Sequence, residues 1–121
     1  MIGRVSDDHI YLAIEFVLAN STIAEREMVI DTGYVGTLTL PTHAIQSFTL
    51  PFLRSLTASL ADGSTIVVDV YLATIRWHDA VRDIEVICLE DRPLIGMLLL
   101  DGSTMNVHFK NGGLMELVDG A

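Results

Sequence analysis

Three consecutive residues, Asp31, Thr32 and Gly33, are the part of the sequence best suited to chemistry. The aspartate ends an apolar run over residues 28–30, and an alternating strand over 37–40 follows. Burying a carboxylate is costly unless it accepts hydrogen bonds, which the Thr32 hydroxyl and backbone N–H groups near Gly33 can donate. Asp31 is therefore a candidate catalytic carboxylate. The alternative is an ordinary turn aspartate, whose side chain accepts hydrogen bonds from the backbone two positions on.

The other reactive residue types give no comparable pattern. The four histidines are scattered along the chain, and no two of them lie four residues apart on a predicted helix, so we expect no metal site. They are His9, His43, His78 and His108. Cys88 lies among apolar residues of a predicted strand and is interpreted as a small buried hydrophobe. No glycine-rich phosphate loop is present, and we expect no cofactor.

Composition narrows the classes of function. The chain has 121 residues, half of them hydrophobic, which fits one domain over 1–121. Seven lysines and arginines in a chain of net charge -9 disfavour binding to nucleic acid and to anionic membranes. Only 19% of residues are charged, which suggests apolar contact with another chain. A single cysteine and an N-terminus without a secretory signal predict a cytoplasmic protein.

The hydrophobic pattern predicts an all-β fold. Alternation predicts a strand over 10–18, and Asp62-Gly63 predicts the tight turn of a long hairpin. Further strands are predicted at 27–30, 37–40, 66–77, 84–90, 104–110 and 114–118. Pro41 begins one or two helical turns, and Pro93 and Gly102 bracket a short helix. Strands with turn signals at this spacing are typical of a closed or nearly closed β-barrel.

Four segments together carry a resemblance to a known family. They are VIDTG at 29–33, TLTLP at 37–41, the hairpin around ADGS at 61–64, and PLIGMLLL at 93–100. In this order they resemble the retropepsin-like aspartic proteases of clan AA, which include the retroviral proteases. In that family a hydrophobic-hydrophobic-glycine segment packs beneath the Asp-Thr-Gly loop, and Leu94, Ile95 and Gly96 fit it. Tyr34, the aromatic residue after Asp-Thr-Gly, looks most like a prokaryotic branch.

The resemblance implies a fold and an activity. The fold would be a closed β-barrel with one short C-terminal helix, forming half of a two-fold dimer whose terminal segments share a sheet. The activity would be that of an aspartic endopeptidase, in which a water is activated by two Asp31 carboxylates, one from each chain of a homodimer. Pepsin-like enzymes carry two such motifs in one chain, whereas this chain has one. Asp62 and Asp101 are poor second acids, because they are predicted at a hairpin tip and at a helix end.

The resemblance also assigns roles around Asp31. Thr32 and Gly33 would complete the catalytic loop, and Tyr34 would line the substrate pocket. A hairpin tip of Ala61, Asp62 and Gly63 would form a flap over an extended peptide or protein substrate.

This sequence departs from the retroviral pattern at three places. Tyr34 is bulky, Met97 stands where a charged residue often follows the late glycine, and the flap has a single glycine. A second hypothesis is therefore a catalytically silent dimerisation or peptide-binding module on the same fold. A third is a small β-barrel unrelated to proteases.

Overall fold

The computed structural model describes residues 1–120 and consists mostly of β-strands, which confirms the predicted all-β class. Two short helices, α1 (Thr42–Phe48) and α2 (Met97–Leu100), complete the described part of the chain. The strands are β1 (Ile2–Ser6), β2 (His9–Val17), β3 (Ile23–Ile30), β4 (Leu38–Leu40), β5 (Phe52–Ser59), β6 (Thr65–Trp77), β7 (Ala80–Cys88), β8 (Leu94–Ile95), β9 (Ser103–Val107) and β10 (Leu114–Asp119).

All of these strands belong to one sheet. Its order is β5-β6-β7-β4-β8-β3-β2-β1-β10-β9. Most neighbours are antiparallel, but β3 pairs with β8 and β4 pairs with β7 in parallel. One additional pairing, Phe16 of β2 with Ile75 of β6, joins two strands that are far apart in this order. The sheet therefore curls back on itself around a common interior.

The interior is filled by the alternating faces of the central strands. The largest fully buried side chains include Leu12, Ile14, Phe16, Met28, Leu38, Leu40, Ile75, Ile95, Leu99, Met115 and Leu117. Helix α1 follows Pro41, whose fixed φ suits a helix start, and it ends at Thr49 in the left-handed conformation. Its Phe48 ring packs on Phe16, with the ring centroids 5.0 Å apart. The short helix thus closes the core beside β2.

The predicted elements agree with the structure in type, but several boundaries differ. Strand β7 begins at Ala80 rather than at 84, and β9 ends at Val107 rather than at 110. Strand β3 begins at Ile23, earlier than predicted, because a tight turn forms where the Leu18 N–H donates to the Thr22 carbonyl at 2.8 Å. The predicted helix after Pro93 is shorter than the sequence indicated and begins only at Met97. Its first residues instead form β8, since their backbone pairs with β3 and β4.

The two terminal segments meet in a sheet within one chain. Strand β1 pairs with β10, where Ile2 lies opposite Glu116, and β9 pairs with the other edge of β10. Because both edges of β10 are occupied, that strand cannot also lie between strands of a second copy while these pairs persist. A sheet shared between two copies would have to form at the outer edge of β9 or by exchange of these pairs, and it stays a prediction.

None of the helices within residues 1–120 has the length and apolar character needed to span a membrane.

Thr39 is a buried polar residue that links β4 to β8. Its side chain is fully buried, and its hydroxyl donates to the Arg92 carbonyl at 3.3 Å and accepts the Leu94 N–H at 2.9 Å. The hydroxyl therefore satisfies backbone groups at the start of the segment that pairs with β3.

We predict that Thr39→Val lowers the free energy of unfolding by about 1–3 kcal/mol, because the similar shape of valine leaves the Leu94 N–H buried without a partner. Urea unfolding measures this. Thr74→Val is the matched control, since the Thr74 hydroxyl bonds the exposed Asp83 carboxylate and its loss leaves that group to water. Equal effects of the two substitutions would contradict the assigned role of Thr39.

Candidate active site

Asp31 lies immediately after β3, at a position set by pairing between β3 and β8. The Val29 N–H donates to the Pro93 carbonyl at 2.8 Å, and the Asp31 N–H donates to the Ile95 carbonyl at 2.9 Å. These parallel bonds fix the backbone of the aspartate against a two-residue strand whose Ile95 is buried. The burial of residues 28–30 agrees with the sequence interpretation of this run.

The Asp31 carboxylate closes its own loop and faces a cavity. Its Oδ1 accepts the Gly33 N–H at 2.8 Å, and its backbone carbonyl accepts the Tyr34 N–H at 3.1 Å. The side-chain bond expected of an ordinary turn aspartate is therefore present. The residue is also half-buried and lines a cavity of about 550 Å³, together with His9 and Arg92. A carboxylate held by one oxygen beside such a cavity can act on a molecule bound there.

Thr32 and Gly33 are exposed at the tip of this loop. Thr32 lines a different cavity of about 320 Å³ on the side of α2 and β9. Close to it in the fold, Met97 and Leu98 at the start of α2 expose 47% and 60% of their surface. The loop that carries Asp31 is thus bordered by apolar side chains that this chain leaves uncovered.

Tyr34 folds inward rather than outward. Its hydroxyl is buried and has no hydrogen-bond partner among the residues that the structure describes. Burial raises the pKa of the phenol above its ordinary value. The ring lies against Gly36 and Gly96, where an added Cβ at Gly36 would lie 2.2 Å from the Tyr34 hydroxyl oxygen. Tyr34 also lines a cavity of about 510 Å³, together with Leu56 of β5. Its ring therefore forms part of the wall of that cavity.

Gly96 makes this close packing possible. Its N–H donates to the Thr37 carbonyl at 2.8 Å, and the Met97 N–H donates to the Tyr34 carbonyl at 2.7 Å. A Cβ on Gly96 would lie 2.1 Å from the Gly36 carbonyl oxygen. The structure therefore places Leu94–Ile95 and Gly96 against the Asp31 loop, as the resemblance implied.

The hairpin tip of Ala61, Asp62 and Gly63 lies on a different element, between β5 and β6. The turn was predicted correctly: Gly63 has φ +86°, and the Leu60 N–H donates to the Ser64 carbonyl at 2.8 Å. The Asp62 carboxylate accepts the Ser64 hydroxyl and N–H, and these bonds lower the pKa of Asp62. The tip is exposed, and the hydrogen bonds of the Asp62 carboxylate all lie within the turn.

Sequence reasoning missed a polar group beside Asp31 that includes His9, Asp91 and Arg92. Arg92 Nη1 donates to His9 Nε2, while His9 Nδ1 donates to the Asp7 carbonyl at 2.8 Å. The two residues are 83 positions apart, so no local spacing could reveal their contact.

The described residues contain no group of three or more histidines, cysteines or carboxylates arranged to hold a metal ion. The cavity beside Asp31 brings together the carboxylates of Asp31 and Asp91, the Arg92 guanidinium and the His9 imidazole.

Comparison with known proteins supports the fold. The sequence matches no protein-family model and has no significant match to a curated protein. In structure, the chain is similar to the crystal structure of a retropepsin-like aspartic protease from Rickettsia conorii, with a TM-score of 0.59. The match covers 100% of this chain and 91% of that chain at 18% sequence identity. The chain therefore has a retropepsin-like fold.

We predict that Gly96→Ala lowers the free energy of unfolding by about 3 kcal/mol, because the new methyl group meets the Gly36 carbonyl and the Tyr34 ring. Gly63→Ala is the control: its Cβ meets nothing within 4 Å, so only the cost of its positive φ remains. Thermal unfolding of both variants checks this. A Gly96→Ala protein as stable as Gly63→Ala would show that the contact beneath the Asp31 loop is not tight.

We predict that Tyr34→Phe leaves the free energy of unfolding unchanged or raises it by about 1 kcal/mol, because it removes a buried hydroxyl that has no partner. Because the pKa of Tyr34 is raised in the folded state, the unfolded chain loses the phenol proton at a lower pH than the folded chain does. The free energy of unfolding therefore keeps its full value below the ordinary pKa of tyrosine and falls as pH rises from there through the raised pKa. Urea unfolding at neutral and strongly alkaline pH should show a smaller alkaline loss in Tyr34→Phe. A large loss of stability at neutral pH would indicate that the hydroxyl has a partner.

Proposed function

We propose that this protein is an aspartic endopeptidase that acts as a homodimer, with Asp31 of each chain supplying one carboxylate. The observation that carries the proposal is the position of Asp31: half-buried at the end of β3, beside a cavity, in a loop packed on Gly96 within a retropepsin-like fold. Together these features hold the Asp31 carboxylate in a fixed position, which catalysis by a positioned group requires.

The proposal of two chains rests on the single Asp-Thr-Gly motif of this chain. The two Asp-Gly-Ser segments lie at exposed turns, Asp62 at the tip of the β5–β6 hairpin and Asp101 at the end of α2. Asp91 lines the Asp31 cavity but is exposed and accepts the Arg92 N–H. A two-fold axis near Thr32 would bring the two Asp31 loops together and cover the exposed Met97 and Leu98. The Thr32 hydroxyls of the two chains would then hydrogen-bond one loop to the other. The curled sheet of each chain would be a closed barrel, and two such barrels would make up the dimer.

The proposed chemistry divides the work between the two carboxylates. One is ionised and takes a proton from a water whose oxygen attacks the carbonyl carbon of the peptide bond. The other is protonated and donates to the carbonyl oxygen as it becomes negative. Transfer of a proton to the amide nitrogen then breaks the carbon–nitrogen bond, and the pair is left again with one proton. Two carboxylates this close cannot both ionise, so they titrate as a pair.

The proposed substrate is a peptide or an unfolded protein segment bound as an extended strand. Backbone groups of the hairpin tip, Ala61–Gly63, would cover it by adding a strand-like contact, while Tyr34 forms part of the wall. Neither a metal nor an organic cofactor enters this mechanism. We further propose a cytoplasmic location, because the single cysteine, Cys88, is a free thiol and leaves the fold without an intrachain disulfide.

We predict that Asp31→Asn reduces cleavage of a denatured protein substrate by at least about 10³-fold, because an amide can neither accept the water proton nor share one with its partner. The variant should keep the dimer, since asparagine has the same shape and its Oδ1 can still accept the Gly33 N–H. Cleavage is measured by mass spectrometry of the products, and assembly by sedimentation velocity.

Asp101→Asn is the matched control for this test, as an exposed aspartate next to a glycine that has no proposed catalytic role. It should cleave at the wild-type rate. Equal turnover by wild type and Asp31→Asn would remove the proposed activity, and a chain that sediments as a monomer while cleaving would remove the shared site.

A further inference from the structure

A second cavity adjoins the one that holds Asp31. It has a volume of about 530 Å³ and shares two of its lining residues, His9 and Ile30, with the Asp31 cavity. The two cavities are therefore neighbours along one surface, with the His9 imidazole and Ile30 between them. We propose that this second cavity is a substrate subsite that takes the lysine or arginine side chain of a bound peptide, an inference that rests on the proposed proteolysis.

The lining of the cavity has an apolar part and a charged part. Val5 and Ile30 are buried and Ile10 is half-buried, so they form an apolar base. Asp7 and Asp8 are exposed at the edge. Lysine and arginine carry a long aliphatic stem and a cationic end, so they place hydrocarbon on an apolar base while the charge stays at a wet edge.

The charge at the edge is available to a ligand. Among residues 1–120, neither Asp7 nor Asp8 takes part in an ion pair. Lys110 is the cation of the lining, so two carboxylates outnumber one ammonium. The net charge of -9 adds a long-range attraction for cationic peptides. An acidic or neutral side chain would lose these contributions.

The walls of the cavity are fixed before any ligand binds. Asp7 and Asp8 form a turn with φ values of 50° and 66°, and the Asp7 N–H donates to Asn111 Oδ1 at 3.3 Å. On the other side, the loop after β9 is bonded to β1 through the Gly112 N–H and the Val5 carbonyl at 2.8 Å. A site with fixed walls binds without the cost of ordering them.

The position of the subsite relative to the scissile bond follows from the shared residues. Because His9 and Ile30 line both cavities, an extended peptide whose scissile bond lies at Asp31 would place a side chain of the same strand in the second cavity. Phe109, with 76% of its surface exposed, also lines the cavity and offers an apolar surface to the peptide.

The first test compares cleavage sites in reduced and alkylated serum albumin. The wild type should show lysine or arginine enriched about fivefold at one fixed position, as expected for exposed ion pairs. The double variant Asp7→Asn, Asp8→Asn should keep cleaving but lose this enrichment. Asparagine tolerates positive φ, so the turn should persist. The control is Asp79→Asn, which removes a carboxylate from another turn at φ 61°.

The second test does not depend on catalysis. It measures the binding of Asp31→Asn protein to fluorescein-labelled ten-residue peptides of alanine and serine, each carrying one arginine or its neutral isostere citrulline. Arginine should bind about fivefold more tightly at one position, and the Asp7→Asn, Asp8→Asn changes should abolish the difference.

The outcomes separate the two ideas. Selectivity for arginine without any cleavage by the wild type would keep the subsite and remove the protease. Cleavage without enrichment, or enrichment that persists in the double variant, would remove the subsite and keep the protease.

Discussion

The parallel contact between β3 and β8 is the constraint on which the candidate site depends. It binds the Asp31 N–H to the Ile95 carbonyl and brings Gly96 under the loop that follows. Parallel neighbours cannot be joined by a short turn, so the chain needs a long excursion between them. Strands β4 to β7 and helix α1 make up that excursion, and they also build the wall and the hairpin around the site. Positioning one carboxylate thus dictates the order of most of the fold.

This arrangement leaves little freedom beneath Asp31. Tyr34 fills the space above Gly36 and Gly96, and the Met97 N–H bonds the Tyr34 carbonyl. Burying the Tyr34 hydroxyl without a hydrogen-bond partner costs free energy. Packing of the Tyr34 ring on the glycine backbone, which has no side chains of its own, offsets this cost. A bulky residue after Asp-Thr-Gly is therefore a packing element, not an obstacle in an open pocket. The departure from the retroviral pattern has its explanation inside the fold.

The parts of the structure that sequence reasoning could predict are those fixed by local chemistry. Period-two alternation located β2, and the Asp62-Gly63 pair located the hairpin tip. The segment beneath the loop, Leu94 to Gly96, was instead implied by the resemblance to a known family. The short helix between Pro93 and Gly102 was predicted, but its start at Met97 was not, because the pairing of β8 with β3 takes up the residues after Pro93. The His9–Arg92 contact was equally out of reach, since pairing across 83 positions leaves no spacing to recognise.

The uncovered apolar surface connects the fold to the proposed assembly. Only 19% of the residues are charged and half are hydrophobic, so part of the hydrophobic surface stays exposed in a single chain. Here Val35, Met97 and Leu98 expose 80%, 47% and 60% of their surface, all within segments that hold the Asp31 loop in place. Exposure of this kind favours association with an apolar surface. Met97 stands where a charged residue often follows the glycine in the family that this sequence resembles. Contact between two copies near the Asp31 loop would therefore be held by burial of apolar side chains. The orientation of the two Asp31 carboxylates would then depend on the rigid backbone beneath each loop.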